Sequence, residues 1–114
     1  MKLLNTTRNV LLADNVEVAD TFALRSKGLL GRKNLVAGHA MMIKPCNSIH
    51  TFCMQFPIDV IFVHKTGRIL RVYDTLNPGR LTPIVWGSAY VVELPAGILS
   101  RTRTCSNDNI ALVP

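Results

Sequence analysis

The sequence predicts a mainly β domain of the α+β kind, a small antiparallel or mixed β barrel or sandwich with one principal short helix. Three observations carry this expectation. Short apolar runs, several with period-two alternation, recur along the chain. Gly, Pro and Asn turn signals separate them, rather than the helix-length crossovers of a parallel α/β fold. Only residues 21–31 place apolar side chains at helical spacing.

Residues 10–13 and 16–18 are apolar runs divided by Asp14-Asn15, which reads as a strand hairpin or a bulged strand. Asp20 and Thr21 then offer N-cap side chains. The helix over 21–31 is expected to bury Phe22, Ala23, Ser26, Leu29 and Leu30, with Arg25, Lys27 and Arg32 pointing away. Gly31 suits a left-handed close, while Gly28 inside the helix implies the close approach of another backbone. Residues 40–43 form a strand ended by Pro45.

From Ile49 the alternation predicts a strand with His50, Phe52, Met54 and Phe56 on one face and Thr51, Cys53 and Gln55 on the other. Pro57 breaks it, and residues 58–63, apolar on both faces, read as a central strand covered on both sides. Lys65-Thr66-Gly67 is a tight connection in which Gly67 supplies a positive φ. Residues 68–76 return as its partner, and Asn77-Pro78-Gly79 is a turn. Residues 80–87 carry no clear pattern. Residues 89–94 are a strong strand ended by Pro95-Ala96-Gly97, where Gly97 serves as a structural turn residue. A single helical turn at 98–103, polar turn material at 106–109 and a last strand at 110–113 complete the order.

At 114 residues the chain reads as one domain over 1–114, of a size that buries roughly two-thirds of the surface its unfolded chain exposes. The formal charge of +6 raises a nucleic-acid or anionic-membrane reading. The cations are scattered, however, with Arg25, Lys27, Arg32 and Lys33 the one dense group, and the aromatics do not interleave with them as stacking platforms would. A solvated basic face is the preferred reading, and nucleic acid is not the expected partner. Cys46, Cys53 and Cys105 include no Cys-x-x-Cys pair and leave one over under any pairing, which favours a reducing compartment. No apolar signal region opens the chain and no run approaches a membrane span, so the expected location is cytoplasmic, with a mature exported form as the alternative.

Four blocks of the chain resemble a known family. They are Leu24-Arg25-Ser26-Lys27-Gly28-Leu29-Leu30-Gly31-Arg32, Gly38-His39-Ala40-Met41-Met42, residues 49–59 with Gly67, and Val92-Glu93-Leu94-Pro95-Ala96-Gly97. In this order they are similar to the prokaryotic family catalogued as domain of unknown function 192, over about residues 8 to 113. The resemblance implies a small β-rich domain and no particular reaction. One departure is visible: members commonly carry Gly-Asp before the last strand, where this chain has Asn107-Asp108-Asn109. Asn107 is then expected to take over the glycine's left-handed conformation.

Ionisable side chains set within the most apolar segments are the candidates for a site. Glu93 lies between Val92 and Leu94, and Asp59 opens the most apolar strand. Carboxylates are rarely buried without partners, and two of them close together would split their pKa values as general acid–base pairs do. The structural alternatives are Asp59 tying the turn at Pro57 and Glu93 pairing with Arg25. His50 sits among aromatic and apolar neighbours, where a hydrogen-bonded core histidine is commoner than a catalyst. Cys53 and His50, three apart on a strand, would face opposite ways, so the thiol reads as a small core residue rather than a nucleophile. No His/Cys/carboxylate spacing resembles a metal site, and no phosphate-binding or nucleotide motif is present, so neither metal nor cofactor is expected.

These readings lead to an expected convergence of Arg25, His50, Asp59 and Glu93 on one partly buried polar cluster. The favoured function is a non-enzymatic module that binds a small molecule or a protein partner. A small hydrolase or isomerase using Asp59 and Glu93 is the alternative, and a nucleic-acid-associated basic protein a second.

Overall fold

A computed structural model describes residues 1–114. The chain runs β1 (Lys2–Asn5), β2 (Val10–Ala13), β3 (Asn15–Ala19), α1 (Phe22–Lys27), β4 (His39–Ile43), β5 (Ile58–His64), β6 (Ile69–Leu76), β7 (Ser88–Pro95), α2 (Ile98–Thr102) and β8 (Ile110–Val113). The strands form a three-stranded sheet in the order β2-β1-β8 and a five-stranded sheet in the order β3-β4-β7-β5-β6. The β3–β4 pair is parallel and all other ladders are antiparallel. This is a mainly β, mixed, sandwich-like architecture with two short helices. No helix is long and apolar enough to cross a membrane.

Inside the large sheet lies β5, which is buried over Ile58–Val63 and flanked by β6 and by the middle strand β7. Apolar side chains on both faces let it carry two cores. One face joins Ile61, Val63, Val92 and Leu94 to Leu3, Leu12 and Ile110 of the small sheet and to Leu99 of α2. The other face joins Val60, Phe62, Val91 and Met41 to Leu29, Ile49 and Met54. That second face is covered by loops and the end of α1 rather than by a sheet, and it is where the pocket described below lies.

Gly67 has φ 94°, and a β-carbon there would stand 2.6 Å from the Ile110 carbonyl oxygen. The Ile110 N–H donates to the Gly67 carbonyl at 2.8 Å. The glycine therefore serves the β5–β6 turn and the docking of β8 at once. Asn107 adopts φ 75°. Beside it, Asp108 accepts from Asn5, Arg8 and the Cys105 N–H, which fastens the two ends of the chain together.

Several expectations are corrected. The runs at 10–13 and 16–18 form neither a hairpin nor one bulged strand. The chain changes sheets between them, because the N–H groups of Asp14 and Asn15 both donate to the Gly38 carbonyl, at 2.9 and 3.1 Å, and deliver β3 alongside β4. The strand expected at 49–56 is a loop with a single bridge, His50 to Leu81. Buried Thr51 holds it: the hydroxyl donates to the Asn77 carbonyl at 2.7 Å and accepts from the Arg80 N–H at 2.9 Å. Cys53 there is exposed with φ 63°, so it is not a core residue. The helix is shorter than 21–31. Thr21 caps it by accepting from the Leu24 N–H at 3.2 Å, and Gly28, with φ 46° and ψ −125°, ends it. None of its residues is buried and Phe22 is 79% exposed, whereas Arg25 turns inward. Strand β1 lay unrecognised within the opening residues, and it forms the centre of the small sheet.

Candidate functional site

Glu93 owes its place to strand register. Met41 of β4, Glu93 of β7 and Val60 of β5 stand opposite one another across three adjacent strands, so Glu93 projects from the loop-covered face. It is 4% exposed. No donor reaches its carboxyl, and burial alone pushes that group up from the usual 4.5 to about 7. The acid thus titrates in the neutral range, in surroundings that resist its charge.

Above it lies a pocket of about 240 Å³, walled by Phe22, Arg25 and Gly28 at α1, by Ile43 at the end of β4, and by Cys46, Ile49, His50 and Met54 of the following loop. Arg25 comes from the last turn of α1. Its Nη1 donates to the Pro45 carbonyl at 3.3 Å, while its Nε is buried without a partner. No ion pair joins it to Glu93; the salt bridges are Arg8–Asp108 and Arg32–Glu17, none of whose residues lines the pocket. The Arg25–Glu93 pairing that the sequence suggested is therefore not made. Gly28 matters to the same corner because its φ of 46° is a backbone conformation L-residues avoid; a β-carbon there would make only ordinary contact, 3.9 Å, with Glu93 Oε1.

Cys46 is half-buried and its thiol donates to the Ser48 carbonyl at 3.1 Å. Burial pushes the thiol up, the Ser48 contact and Arg25 oppose this, and Glu93 adds to it. A thiol held in its protonated form is a poor nucleophile. His50 is exposed at the pocket, stacked on Phe52 with ring centroids 5.2 Å apart and 21° between planes.

Asp59 is elsewhere. It stands opposite Leu94, one rung from the Val60–Glu93 pair, and so emerges on the face toward α2. Its carboxylate accepts three backbone N–H groups, from Thr75 at 2.8 Å, Gly97 at 3.0 Å and Leu99 at 2.9 Å. It thereby fixes the left-handed residue Thr75 in β6 and the start of α2, where Gly97 has φ 100°. Tying these segments, rather than the Pro57 turn, is what Asp59 does. The expected convergence is corrected accordingly: Arg25, His50 and Glu93 line one pocket, and Asp59 lies across the sheet from them. The acid–base pair of Asp59 and Glu93 does not exist as a geometric unit. Reading the sequence also missed Cys46, Ile49 and Met54 as pocket walls. Their signal was position alone, next to His50 in a segment taken for a regular strand.

The profile of the DUF192 family, described as an uncharacterized ACR, matches residues 3–112. The chain belongs to the domain of unknown function 192 family. Among curated relatives of this DUF192 chain, the UPF0127 protein of Pyrococcus abyssi is 33% identical over 114 residues, covering 95% of the chain and 94% of that protein. The UPF0127 protein of Pyrococcus horikoshii is 31% identical, covering 95% of the chain and 96% of its own length. That of Thermococcus kodakarensis is 30% identical, covering 98% of the chain and 73% of its own length. Two crystal structures share the DUF192 chain's fold. A Novosphingobium aromaticivorans protein of unknown function superposes with TM-score 0.83 at 21% identity, covering 97% of this chain and 82% of its own. A Sinorhizobium meliloti protein provisionally described as a transcription regulator superposes with TM-score 0.79 at 22% identity, covering 96% and 89%.

Proposed function

We propose that this protein is a non-enzymatic binding module that takes a small molecule in the pocket over Glu93. The observation that carries the reading is the buried Arg25 Nε, which donates to nothing, in one pocket with the Glu93 carboxyl, to which no protein group donates. Native proteins satisfy nearly all buried polar groups, because each orphan costs about 1–3 kcal/mol. An orphaned donor beside an unpaired carboxyl in one pocket is explained when a ligand supplies the missing partners.

The pocket's size selects among occupants. At about 240 Å³ it falls below the roughly 300–1,000 Å³ of sites for drug-sized ligands, so it suits a metabolite-sized molecule. A hydrolase or isomerase built on Asp59 and Glu93 has no support in the strand register, which puts the two carboxyls on opposite faces.

Chemical-shift mapping of the labelled protein against a mixed set of small acids, amines and neutral compounds tests the reading. Shifts confined to the amides of Arg25, Cys46, Ile49 and Glu93, and lost in Glu93→Met, are the expected result. Shifts scattered over the surface, or none, would refute it.

A further inference from the structure

Resting on that reading, we propose that the ligand is a small carboxylate with an apolar body, gripped by Arg25 and by a proton carried on Glu93. The charges around the pocket decide between an acid and an amine. Arg25 and Lys27 line it as cations, Glu93 is its one acidic side chain, and His50 and Cys46 are its other titratable groups. An ammonium ligand would gain an ionised Glu93 but would meet two cations of its own sign. A carboxylate meets those cations favourably and asks Glu93 only to keep the proton that burial already favours.

Geometry supports the same choice. Arg25 lines the pocket and its Nε has no partner, and the Nε edge of a guanidinium suits a two-oxygen acceptor. A protonated Glu93 adds an O–H donor, and a carboxylic acid bound to a carboxylate makes one of the shorter and stronger hydrogen bonds. Apart from Ser26 and Ser48, much of the remaining wall is hydrocarbon and thioether, from Phe22, Leu29, Ile43, Ile49 and Met54, so the body of the ligand is mainly apolar. Inorganic phosphate lacks such a body and carries more charge than one arginine and one proton can serve.

Binding is then linked to protons. Where free Glu93 is ionised, above about pH 7, the complex must take up a proton, and affinity falls about tenfold per pH unit. Below that pH the dependence flattens. Titration of His50 or Cys46 would also give a slope, but it would survive replacement of Glu93.

Isothermal titration with benzoate, benzamide and benzylamine, probes of one size and three charges, tests this at pH 6, 7 and 8. Benzoate is expected to bind more tightly than either analogue, about fivefold more weakly at pH 8 than at pH 7, with proton uptake in buffers of differing ionisation enthalpy. Glu93→Gln, whose amide still donates, should bind benzoate with the slope removed. Arg25→Met should lose at least tenfold, and Arg25→Lys should recover part of it; unchanged melting cooperativity shows that each variant is folded. Preference for benzylamine or benzamide, or a benzoate slope that persists in Glu93→Gln, would overturn the carboxylate assignment while leaving the pocket a binding site. Failure of all three probes, together with no shifts in the wider mapping, would overturn both.

Discussion

Asp59 and Glu93 sit one rung apart on neighbouring strands and project from opposite faces of the sheet. Both are almost wholly buried, yet they live differently. Asp59 is satisfied by three backbone N–H groups, whereas Glu93 has only burial acting on it. One carboxylate holds the fold together and the other is a cost to it.

Replacing Glu93 should therefore stabilise the protein at neutral and higher pH. The folded carboxyl keeps its proton up to about pH 7, while the unfolded one releases it near 4.5. A folded-state pKa raised in this way means that stability is greatest below the unfolded value and declines as pH rises toward 7. At about 1.4 kcal/mol per pH unit, the loss comes to about 3 kcal/mol. Glu93→Gln should recover most of it at pH 8 and little at pH 4, as read by urea unfolding at both. A destabilised Glu93→Gln at pH 8 would mean that the carboxylate has a partner.

Asp59→Asn should act in the opposite sense at all pH values where the protein folds. The amide cannot accept from all three N–H groups, and an orphaned donor costs about 1–3 kcal/mol. A loss of about 3 kcal/mol in urea unfolding is expected, with ligand capture by the folded variant unchanged. A loss below about 1 kcal/mol would show that water replaces the carboxylate readily.

Much of the strand order was legible, and the particular failures have physical causes. Residues 58–76 and 89–113 read correctly because tight turns bound strongly apolar runs, so local and global preferences agree. Strand β1 is four residues long and pairs with β2 on one side and, on the other, with β8, about a hundred positions away. No local pattern reports such a partner. The loop at 49–56 mimicked alternation because it buries Ile49 and Met54 on the face of the large sheet and Thr51 against the 77–80 loop, without pairing in a ladder. In α1 the six-residue length leaves no apolar stripe, so spacing could not say that Arg25 faces inward.

For the site, Arg25, His50 and Glu93 stood out as ionisable residues in apolar surroundings. Asp59 satisfied the same criterion and belongs elsewhere, since the face a strand residue occupies depends on register against its neighbour, and one step reverses it.

Gly67 offers a test of the coupling between the β5–β6 turn and the last strand. A side chain there combines a positive φ with a 2.6 Å approach to the Ile110 carbonyl. Gly67→Val should cost about 2 kcal/mol or more, and hydrogen exchange should rise first at the amides of β8. A neutral substitution, or a loss that spares β8, would contradict this.

The most direct test is a carbon-detected titration of the Glu93 carboxyl, free and with saturating benzoate. A midpoint near pH 7 is expected for the free protein, moved higher by benzoate and left in place by benzamide. A midpoint at the ordinary 4.5, unmoved by either compound, would contradict it.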